Sequence, residues 1–317
     1  MHPYYWESDH GNFGDDLNLW LWDFLLPGFR KVHPEVLLVG VGTVLNEVLL
    51  PRTTKKLVVG SGFGYGKLPD FSEASEWDIR CVRGPLTAGK LGLDAGMGII
   101  DPAVMVADMP EFANLPKTED AIFIPHWEST VCGIWPAICK AIGLSYVDPC
   151  GEARSVIRAI AQSRLVIAES MHAAILADAF RVPWIAVSTS HSINSFKWQD
   201  WAATVNVAYK PYHVPVSTRA EARAKGARFW GVDFSSKAAP QPDDPNKRSF
   251  DESLVMTRTD PRPSTLRNVA KQVLGTPATL ALRQARKAAP QLSPDGALAG
   301  RKERFREVLD GIRRDYF

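Results

Sequence analysis

Short runs of apolar residues recur along the chain, with helical patterning between several of them. Each run is four to eight residues long, and most are continuous rather than alternating, which is typical of strands buried on both faces of a parallel sheet. The runs occupy residues 36–41, 57–60, 78–82, 99–106, 121–124, 165–168 and 184–187. Their repeated order of strand then helix predicts an α/β fold with two Rossmann-like, doubly wound domains.

Apolar positions at helical spacing predict helices at residues 17–25, 85–91, 135–142 and 171–180. The last of these follows the apolar run at 165–168, with Ser170 placed as a cap and His172 in the first turn. Further basic helices are predicted at residues 263–274, 277–288 and 300–315. The strand, turn and helix around His172 carry the functional hypothesis developed below.

A polar, proline-containing segment at residues 109–118 separates two strand-rich regions, which suits a linker between domains. We therefore predict an N-terminal domain over residues 1–108 and a second domain over residues 117–234. A basic loop and helical tail follow over residues 235–317, because proline and polar residues dominate the start of that segment.

The composition is that of an ordinary globular protein, because hydrophobic residues make up 45% of the 317 positions and charged residues 23%. These values exclude collagen-like, wholly disordered and highly charged fibrous proteins. No run approaches the roughly 18 apolar residues that span a bilayer. The first 16 residues also lack the apolar core of a signal peptide. The sequence thus predicts a cytoplasmic location.

Charge is distributed unevenly along the chain. Residues 1–200 carry 16 Lys and Arg against 23 Asp and Glu, whereas residues 201–317 carry 21 against 12. One interpretation places the basic tail against anionic lipid, as a peripheral contact at the inner face of the cytoplasmic membrane. The other, which is favoured, packs the tail helices back on the first domain with their charges solvated. No nucleic-acid partner is predicted.

The segment at residues 11–18 places two glycines and the acids Asp15 and Asp16 directly before a predicted helix. Backbone amides at a helix start bind anions or sugar hydroxyls, and carboxylates accept hydroxyl protons. A tight turn with an N-cap explains the same residues. Glycines at 40–43 and 60–66 permit close approach of the backbone to a ligand. Asp101 lies inside an apolar segment and needs a partner, so we expect it to cap a turn or face the cleft.

Arg83, His126 and His172 each follow a predicted strand, at the sheet edge where doubly wound folds bind ligands. An arginine fork suits a carboxylate or phosphate, with a salt bridge as the structural alternative. His172 combines a titratable ring with the amides of a helix N-terminus, which suits a general acid, and a buried capping histidine is the alternative. His126 fits a structural role more readily than a catalytic one.

Residues 188–201 mix hydroxyl side chains with Lys197 and Trp198 after the last predicted strand. Lysine there suits a phosphate and tryptophan suits a sugar face. The alternative is an amphipathic helix that buries its tryptophans. No cluster of histidine, cysteine or acidic residues has metal-ligand spacing, so we predict no metal and no cofactor.

Taken in order, these pieces resemble the polysaccharide pyruvyl transferases, in particular the succinoglycan-type branch that places pyruvate ketals on bacterial exopolysaccharides. The similarity spans about residues 10–202 and is carried by NFGDDLN, GVGT, VRGPLTA, IDPAVM, IPH, AESMHAAILADAFRVPWIAV and FKWQDW. The resemblance implies a two-domain fold like the glycosyltransferase-B (GT-B) class, with phosphoenolpyruvate as co-substrate. It also implies a histidine and arginines that hold and protonate this donor.

The resemblance assigns the family's histidine to His172 and its first-domain arginine to Arg83. Many members have arginine and leucine directly before that histidine, whereas this chain has Ser170 and Met171. One donor-binding cation is therefore missing, and Arg164 or Lys197 would have to supply it.

The predicted site has His172 as general acid. Its donor-binding residues are Arg83, Lys197, Ser170 and Arg164. Its acceptor-side residues are Asp15, Asp16, His126 and Trp198. The donor groups are far apart in the sequence, so we expect them to converge across a cleft that closes on binding.

The expected reaction moves pyruvate from phosphoenolpyruvate to a sugar diol of an exopolysaccharide or its lipid-linked oligosaccharide precursor, forming a ketal. Two other functions stay open. A nucleotide-sugar glycosyltransferase would share the architecture, but the pattern of an acid, seven residues and a glutamate found in some of these enzymes is absent from residues 148–200. A non-catalytic polysaccharide-assembly protein would explain Ser170 and Met171.

Overall fold

The computed structural model describes residues 1–130, 133–235 and 275–317. Within them the chain forms two parallel β-sheets with helices packed on them, so the α/β class is confirmed. The predicted helix at 263–274 and most of the predicted loop before it lie outside the described residues. The division into domains at 1–108, 117–234 and 235–317 stays a prediction.

The first sheet has four parallel strands, which follow one another in sequence order across it. They are β1 His2–Tyr4, β2 Leu37–Val39, β3 Lys56–Val59 and β4 Trp77–Cys81. The last three confirm the apolar runs at 36–41, 57–60 and 78–82. β1 was not predicted, because no apolar run marks it in the sequence. Its backbone pairs in parallel with the edge of β2.

The second sheet has five parallel strands in the order β6-β5-β7-β8-β9. They are β5 Ile122–Ile124, β6 Ser145–Tyr146, β7 Val166–Ala168, β8 Trp184–Ser188 and β9 Tyr212–His213. The central three confirm the apolar runs at 121–124, 165–168 and 184–187. A separate antiparallel pair is formed by β10 Arg228–Phe229 and β11 Val232–Asp233.

The α-helices of the described residues connect the strands and extend the chain beyond the second sheet. They are α1 Leu21–Leu25, α2 Pro85–Lys90, α3 Trp127–Thr130, α4 Trp135–Ala141, α5 Ala153–Ala161, α6 Met171–Ala179, α7 Ser195–Thr204, α8 Arg219–Lys225, α9 Thr276–Ala285 and α10 Asp295–Tyr316. α2, α4 and α6 confirm predicted helices. The helix predicted at 17–25 is divided into a 3-10 helix at Asp15–Leu19 and the short α1.

The apolar run at 99–106 was predicted as a strand, and this prediction is wrong. The structure has a 3-10 helix there, Pro102–Asp108, which Asp101 caps by accepting a hydrogen bond from the Ala103 amide at 3.0 Å. Pro102 has no amide hydrogen for a strand ladder, yet its fixed backbone angle suits the first turn of a helix. A short apolar run is compatible with either element when it is buried on all sides.

The first half of the chain carries the first sheet and the 3-10 helix Pro102–Asp108, and the second half carries the second sheet. The two halves share one apolar core. It joins side chains of the first sheet to the buried helix α6 and to the 3-10 helix Pro102–Asp108. All nine residues of α6 are buried, which is why its sequence shows no polar face. This packing holds the amino end of α6, where His172 lies, against segments of the first half.

The tail helices pack back on both halves. α10 buries Phe305, Leu309 and Ile312 in the shared core, and the Tyr316 hydroxyl donates a hydrogen bond to Asp78 at 2.7 Å. α9 packs against α4 in a second core cluster beside the second sheet. The contacts of α10 confirm the favoured interpretation, which packed the tail helices on the first domain, whereas α9 lies against the second half instead. None of the helices described in the three ranges is long and apolar enough to span a bilayer.

Candidate active site

A cavity of about 90 Å³ opens where segments from both halves of the chain meet. Most of its walls come from segments that follow strands of the two sheets, which is where ligands bind in open α/β sheets. Its polar lining consists of Asn12, Asp15, Thr43, Ser170, His172 and Lys197. Its aromatic lining consists of Trp6, Tyr65, His126 and Trp127.

His172 lies in the first turn of α6 and is 8% exposed, with its accessible surface on the cavity. Its Nε2 atom lies 3.8 Å from Oδ2 of Asp101, the residue that caps the 3-10 helix of the first half. The opposite edge of the ring, with Nδ1, lies so close to Gly14 that a Cβ atom there would sit 1.9 Å away. The ring is therefore fixed between two segments of the first half.

Asp15 is buried on the cavity wall, and burial raises its pKa to about 6. The positive charges of His172 and Lys197 act in the opposite direction on this carboxyl group. Asn12 donates a hydrogen bond to Oδ2 of Asp15. At neutral pH the group is mainly a carboxylate, which can accept a proton from a hydroxyl.

Lys197 brings the cavity its positive charge. It lies in the first turns of α7, which Asn194 caps, and its Nζ atom sits 4.6 Å from the centre of the Tyr65 ring. No ion pair joins this ammonium group to a carboxylate among the residues that the structure describes. The charge is thus directed at the cavity and available to an anion.

Ser170 and His126 also line the cavity, and both stand just after strands of the second sheet. Ser170 occupies the predicted N-cap position of α6, but its side chain makes no capping hydrogen bond. His126 follows β5, and its amide donates to Oε2 of Glu169 at 2.9 Å. Both residues therefore present side chains to the cavity from loops fixed by other groups.

Arg83 is fully buried and does not line the cavity. Its Nε donates to Asp200 at 3.1 Å, and its Nη2 donates to the Phe63 carbonyl at 2.9 Å. Its Nη1 donates to the hydroxyl of Thr43 at 2.9 Å. Because Thr43 is a lining residue, Arg83 supports the cavity from behind in this structure, and the ion pair offered as the alternative is present.

Two other predicted site residues lie away from the cavity. Arg164 precedes β7, whereas His172 follows it, so the strand separates the two residues. Its guanidinium is 63% exposed and pairs with Asp120 at 3.7 Å. Trp198 is 1% exposed and stacks on Tyr209 with ring centres 4.9 Å apart. The predictions of donor binding by Arg164 and sugar stacking by Trp198 are therefore not supported by their positions, and α7 buries its tryptophans.

Asp16 lies next to the cavity without lining it. Its carboxylate accepts a hydrogen bond from the amide of Asn12 at 3.2 Å, so it closes the turn that presents Asn12 and Asp15. Burial raises its pKa above the ordinary value, while the Asn12 amide lowers it. This is the tight-turn role considered for the segment.

Glu169 organises the loops around His126 and Ser170, a role that was not predicted from the sequence. It is fully buried and accepts hydrogen bonds from Thr189 and from the ammonium of Lys225, whose Nζ lies 3.2 Å away. Burial raises its pKa, but Lys225 and the hydroxyl donors more than offset this, so the pKa lies below its usual value. A glutamate inside an otherwise apolar run was the available signal, because a buried carboxylate requires partners.

The aromatic side of the cavity was also missed. Trp6 and Trp127 lie with ring centres 5.5 Å apart, and Trp127 follows directly after the predicted His126. Neither tryptophan stands in an apolar run that would single it out. No group of three or more His, Cys, Asp or Glu side chains suited to a metal occurs in the described ranges.

Comparisons with known proteins identify the family of the chain. The profile of the polysaccharide pyruvyl transferase family matches residues 12–191, which include the cavity segments from Asn12 to Ser170 and His172. The succinoglycan biosynthesis protein ExoV of Rhizobium meliloti (strain 1021) is 70% identical over 317 residues, covering the whole of both chains. No solved structure matches the chain. Because the family profile covers more than half of the sequence and a full-length relative accompanies it, the chain belongs to the polysaccharide pyruvyl transferase family and is a pyruvyltransferase.

Proposed function

We propose that this enzyme transfers pyruvate from phosphoenolpyruvate to two hydroxyls of a sugar, forming a ketal and releasing phosphate. The observation that carries the proposal is the convergence of a proton-donating ring, His172, and an ammonium group, Lys197, on one small cavity. Phosphoenolpyruvate needs both, because it is an anion that must be protonated at carbon. No cofactor beyond this co-substrate is needed.

The donor's two anionic groups fit the polar wall of the cavity. Lys197 offers a full positive charge, and the amino end of the nine-residue helix α6 offers partial positive charge and free amides. Ser170 and Asn12 add neutral hydrogen-bond donors. These groups would take the place of the arginine that the family resemblance leads us to expect before His172.

The chemistry follows from this arrangement. Protonated His172 gives its proton to the methylene carbon of the donor, which makes the neighbouring carbon electrophilic. One sugar hydroxyl adds to that carbon and phosphate leaves with the bonding electrons. The second hydroxyl then closes the ketal. Of the two hydroxyl protons, one restores the ring and the other departs through Asp15, whose carboxylate lies on the same wall.

The acceptor that we propose is an exopolysaccharide repeat or its lipid-linked oligosaccharide precursor. The name of the 70% identical relative, a succinoglycan biosynthesis protein, supports this substrate class. The two parallel sheets and the cavity lined from both halves are compatible with a GT-B-like arrangement. A lipid-linked acceptor would bring the enzyme to the membrane surface. Most basic side chains of α10 bond within the protein, as Arg301 does to the Thr204 carbonyl and Arg306 to Asp108, so a peripheral contact would need other groups.

The proposal is tested by incubating the protein with phosphoenolpyruvate and lipid-linked oligosaccharides, and by measuring phosphate release and the mass of one added pyruvate ketal. We expect His172→Ala to lower kcat by roughly 10² to 10⁴-fold, the usual contribution of a general acid. Lys197→Met should raise the KM for phosphoenolpyruvate by about tenfold or more. His191→Ala and Lys140→Met are the matched controls, because both residues are exposed and away from the cavity.

Two results would contradict the proposal. Near-native turnover of folded His172→Ala would remove the ring from the mechanism. Protection from thermal unfolding by a nucleoside diphosphate, with phosphoenolpyruvate inert, would instead favour a nucleotide-sugar donor.

A further inference from the structure

Two buried polar atoms face each other across the boundary between the halves of the chain, and neither has a hydrogen-bond partner. They are Oδ2 of Asp101, which precedes the 3-10 helix of the first half, and Nε2 of His172 in α6. The distance between them is 3.8 Å. Asp101 is fully buried and His172 nearly so. Since buried polar atoms in native proteins are almost always paired, this gap needs an explanation.

Capping the helix does not explain why residue 101 is an aspartate. The cap uses Oδ1 alone, which accepts from the Ala103 amide. Serine or asparagine would cap equally well and would bury no charge. The second oxygen of Asp101 therefore has another use.

The charge of Asp101 has few possible counterions. Among the described residues, His172 is the basic group within ion-pair distance of its carboxylate. A buried carboxylate is costly unless it is paired. The imidazolium form of His172 would supply the missing charge and a proton on Nε2. A hydrogen bond of this kind is often long in a free enzyme and shortens when the substrate is bound.

We propose that Asp101 is a positioning residue that keeps the proton of neutral His172 on Nε2 and stabilises the imidazolium form of the ring. This inference rests on the proposed function of the cavity. It makes Nδ1 the atom that exchanges its proton with the donor. The Nδ1 edge lies over Gly14, between the lining residues Asn12 and Asp15, so it is the edge nearer their segment of the wall.

Other charged side chains lie near the His172 ring, and a test of Asp101 has to leave them unchanged. Asp15 and Lys197 line the same cavity as the His172 ring, and the charges of His172, Lys197 and Asp101 all act on the Asp15 carboxyl group. Substitutions at residue 101 leave these two side chains in place. A change in the ring that follows such a substitution therefore reports on Asp101.

The test compares Asp101→Asn with Asp101→Ser, since each keeps an acceptor for the Ala103 amide. In Asp101→Asn the side-chain amide nitrogen takes the place of Oδ2 and donates to Nε2, so the neutral ring has to carry its proton on Nδ1. Nitrogen-15 NMR of histidine-labelled protein distinguishes these tautomers, and the His172→Gln variant identifies the signal. We expect the Nε2-protonated form in the unaltered protein and the Nδ1-protonated form in Asp101→Asn.

Kinetics supply the second measurement. We expect both substitutions to lower kcat by about 10²-fold or more, as loss of an orienting carboxylate does in other acid-base sites, with the KM for phosphoenolpyruvate changed less than about threefold. Melting temperatures should stay close to that of the unaltered protein, because the cap is kept.

The inference is overturned if the tautomer is the same in Asp101→Asn as in the unaltered protein. It is also overturned if kcat stays near native, or if losses in activity follow losses in melting temperature, which would indicate a purely structural role. The NMR measurement needs no turnover. If the protein proved inactive with phosphoenolpyruvate, the proposed function would fail while the pairing of Asp101 with His172 could still be confirmed or rejected.

Discussion

Asp15 holds a carboxyl group on the cavity wall in surroundings that disfavour its charge. Burial raises its pKa to about 6, while His172 and Lys197 work against that rise. The unfolded chain would have the ordinary value of 3.8. Between these two values the folded protein binds a proton that the unfolded chain has already lost, so the folded state loses stability as pH rises through this window.

We predict that Asp15→Asn removes this pH dependence. The stability that the protonated group contributes is fully present below about pH 4 and is lost as pH rises through 6. A difference of about two pKa units corresponds to about 3 kcal/mol. Urea unfolding of both proteins without ligand at pH 4.5 and pH 7.5 measures this difference in the free energy of unfolding. The Asn variant should become more stable relative to the unaltered protein at the higher pH. An equal difference at both pH values would contradict the assignment.

The residues that were predictable from sequence are those placed by a strand. His126 and His172 follow apolar runs, so both were expected at the carboxyl edge of the second sheet, and the structure brings both to the cavity. Arg83 follows a run in the same way, but its destination is decided by Asp200, which lies 117 residues further along the chain. Periodicity carries no information about such a partner, so the buried pair could be offered only as an alternative.

Glycine loops position three charged or titratable side chains by letting them approach the backbone closely. A Cβ atom would lie 1.9 Å from His172 at Gly14, 2.1 Å from Arg83 at Gly62 and 2.7 Å from Lys197 at Gly64. Of these three glycines, Gly62 and Gly64 belong to the stretch at 60–66 that was predicted to make room for a ligand. In the structure they make room for the side chains around the cavity, which fixes where those side chains lie.

We predict that Gly14→Ala displaces the His172 ring and lowers kcat by about 10²-fold, the effect of moving a catalytic group by about 1 Å. The backbone of Gly14 is right-handed, so alanine introduces no backbone strain there. The control is Gly89→Ala in α2, where a Cβ atom meets nothing within 4 Å. That change should leave kcat unaltered and stabilise the fold by about 0.5–1 kcal/mol. Native kcat in Gly14→Ala would show that the ring tolerates displacement.

Element types were predictable where length or composition separates strand from helix. Six of the seven apolar runs form strands of three to five residues, and the alanine-rich stretch forms α6. The strand prediction at 99–106 failed because this run is apolar and surrounded by protein on all sides. Only Pro102, the fourth residue of the run and the first of the 3-10 helix, argued against a strand. The amphipathic α5 was overlooked, although its polar and apolar faces are well separated.

At the scale of the whole molecule, ion pairs join the tail helix α10 to the first half of the chain, and each side supplies both acids and bases. On α10, Arg306 pairs with Asp108 at 2.9 Å, and Asp315 pairs with Arg80 of the first sheet at 2.6 Å. These pairs are partly exposed and contribute modestly to stability. The apolar face of α10 contributes more, because Phe305 and Leu309 are buried in the shared core.

A buried ion pair joins the two halves near the cavity. Arg83 of the first half and Asp200 of α7 are both inaccessible to solvent, with Nε and Oδ2 3.1 Å apart. Asp200 also accepts hydrogen bonds from the amide and hydroxyl of Thr87, at 2.8 and 2.6 Å. Each charge depends on the other, since neither has water to solvate it.

We predict that Asp200→Ala lowers the free energy of unfolding by about 3–5 kcal/mol, because it leaves the guanidinium of Arg83 buried without a counterion. The matched control is Asp23→Ala, which breaks a pair with Arg30 that is about half exposed on both sides and should cost less than about 1 kcal/mol. Urea unfolding followed by tryptophan fluorescence measures both variants. If the two variants were equally stable, the halves would be held together by the apolar core alone, and the pair would contribute only to the shape of the cavity wall through Thr43.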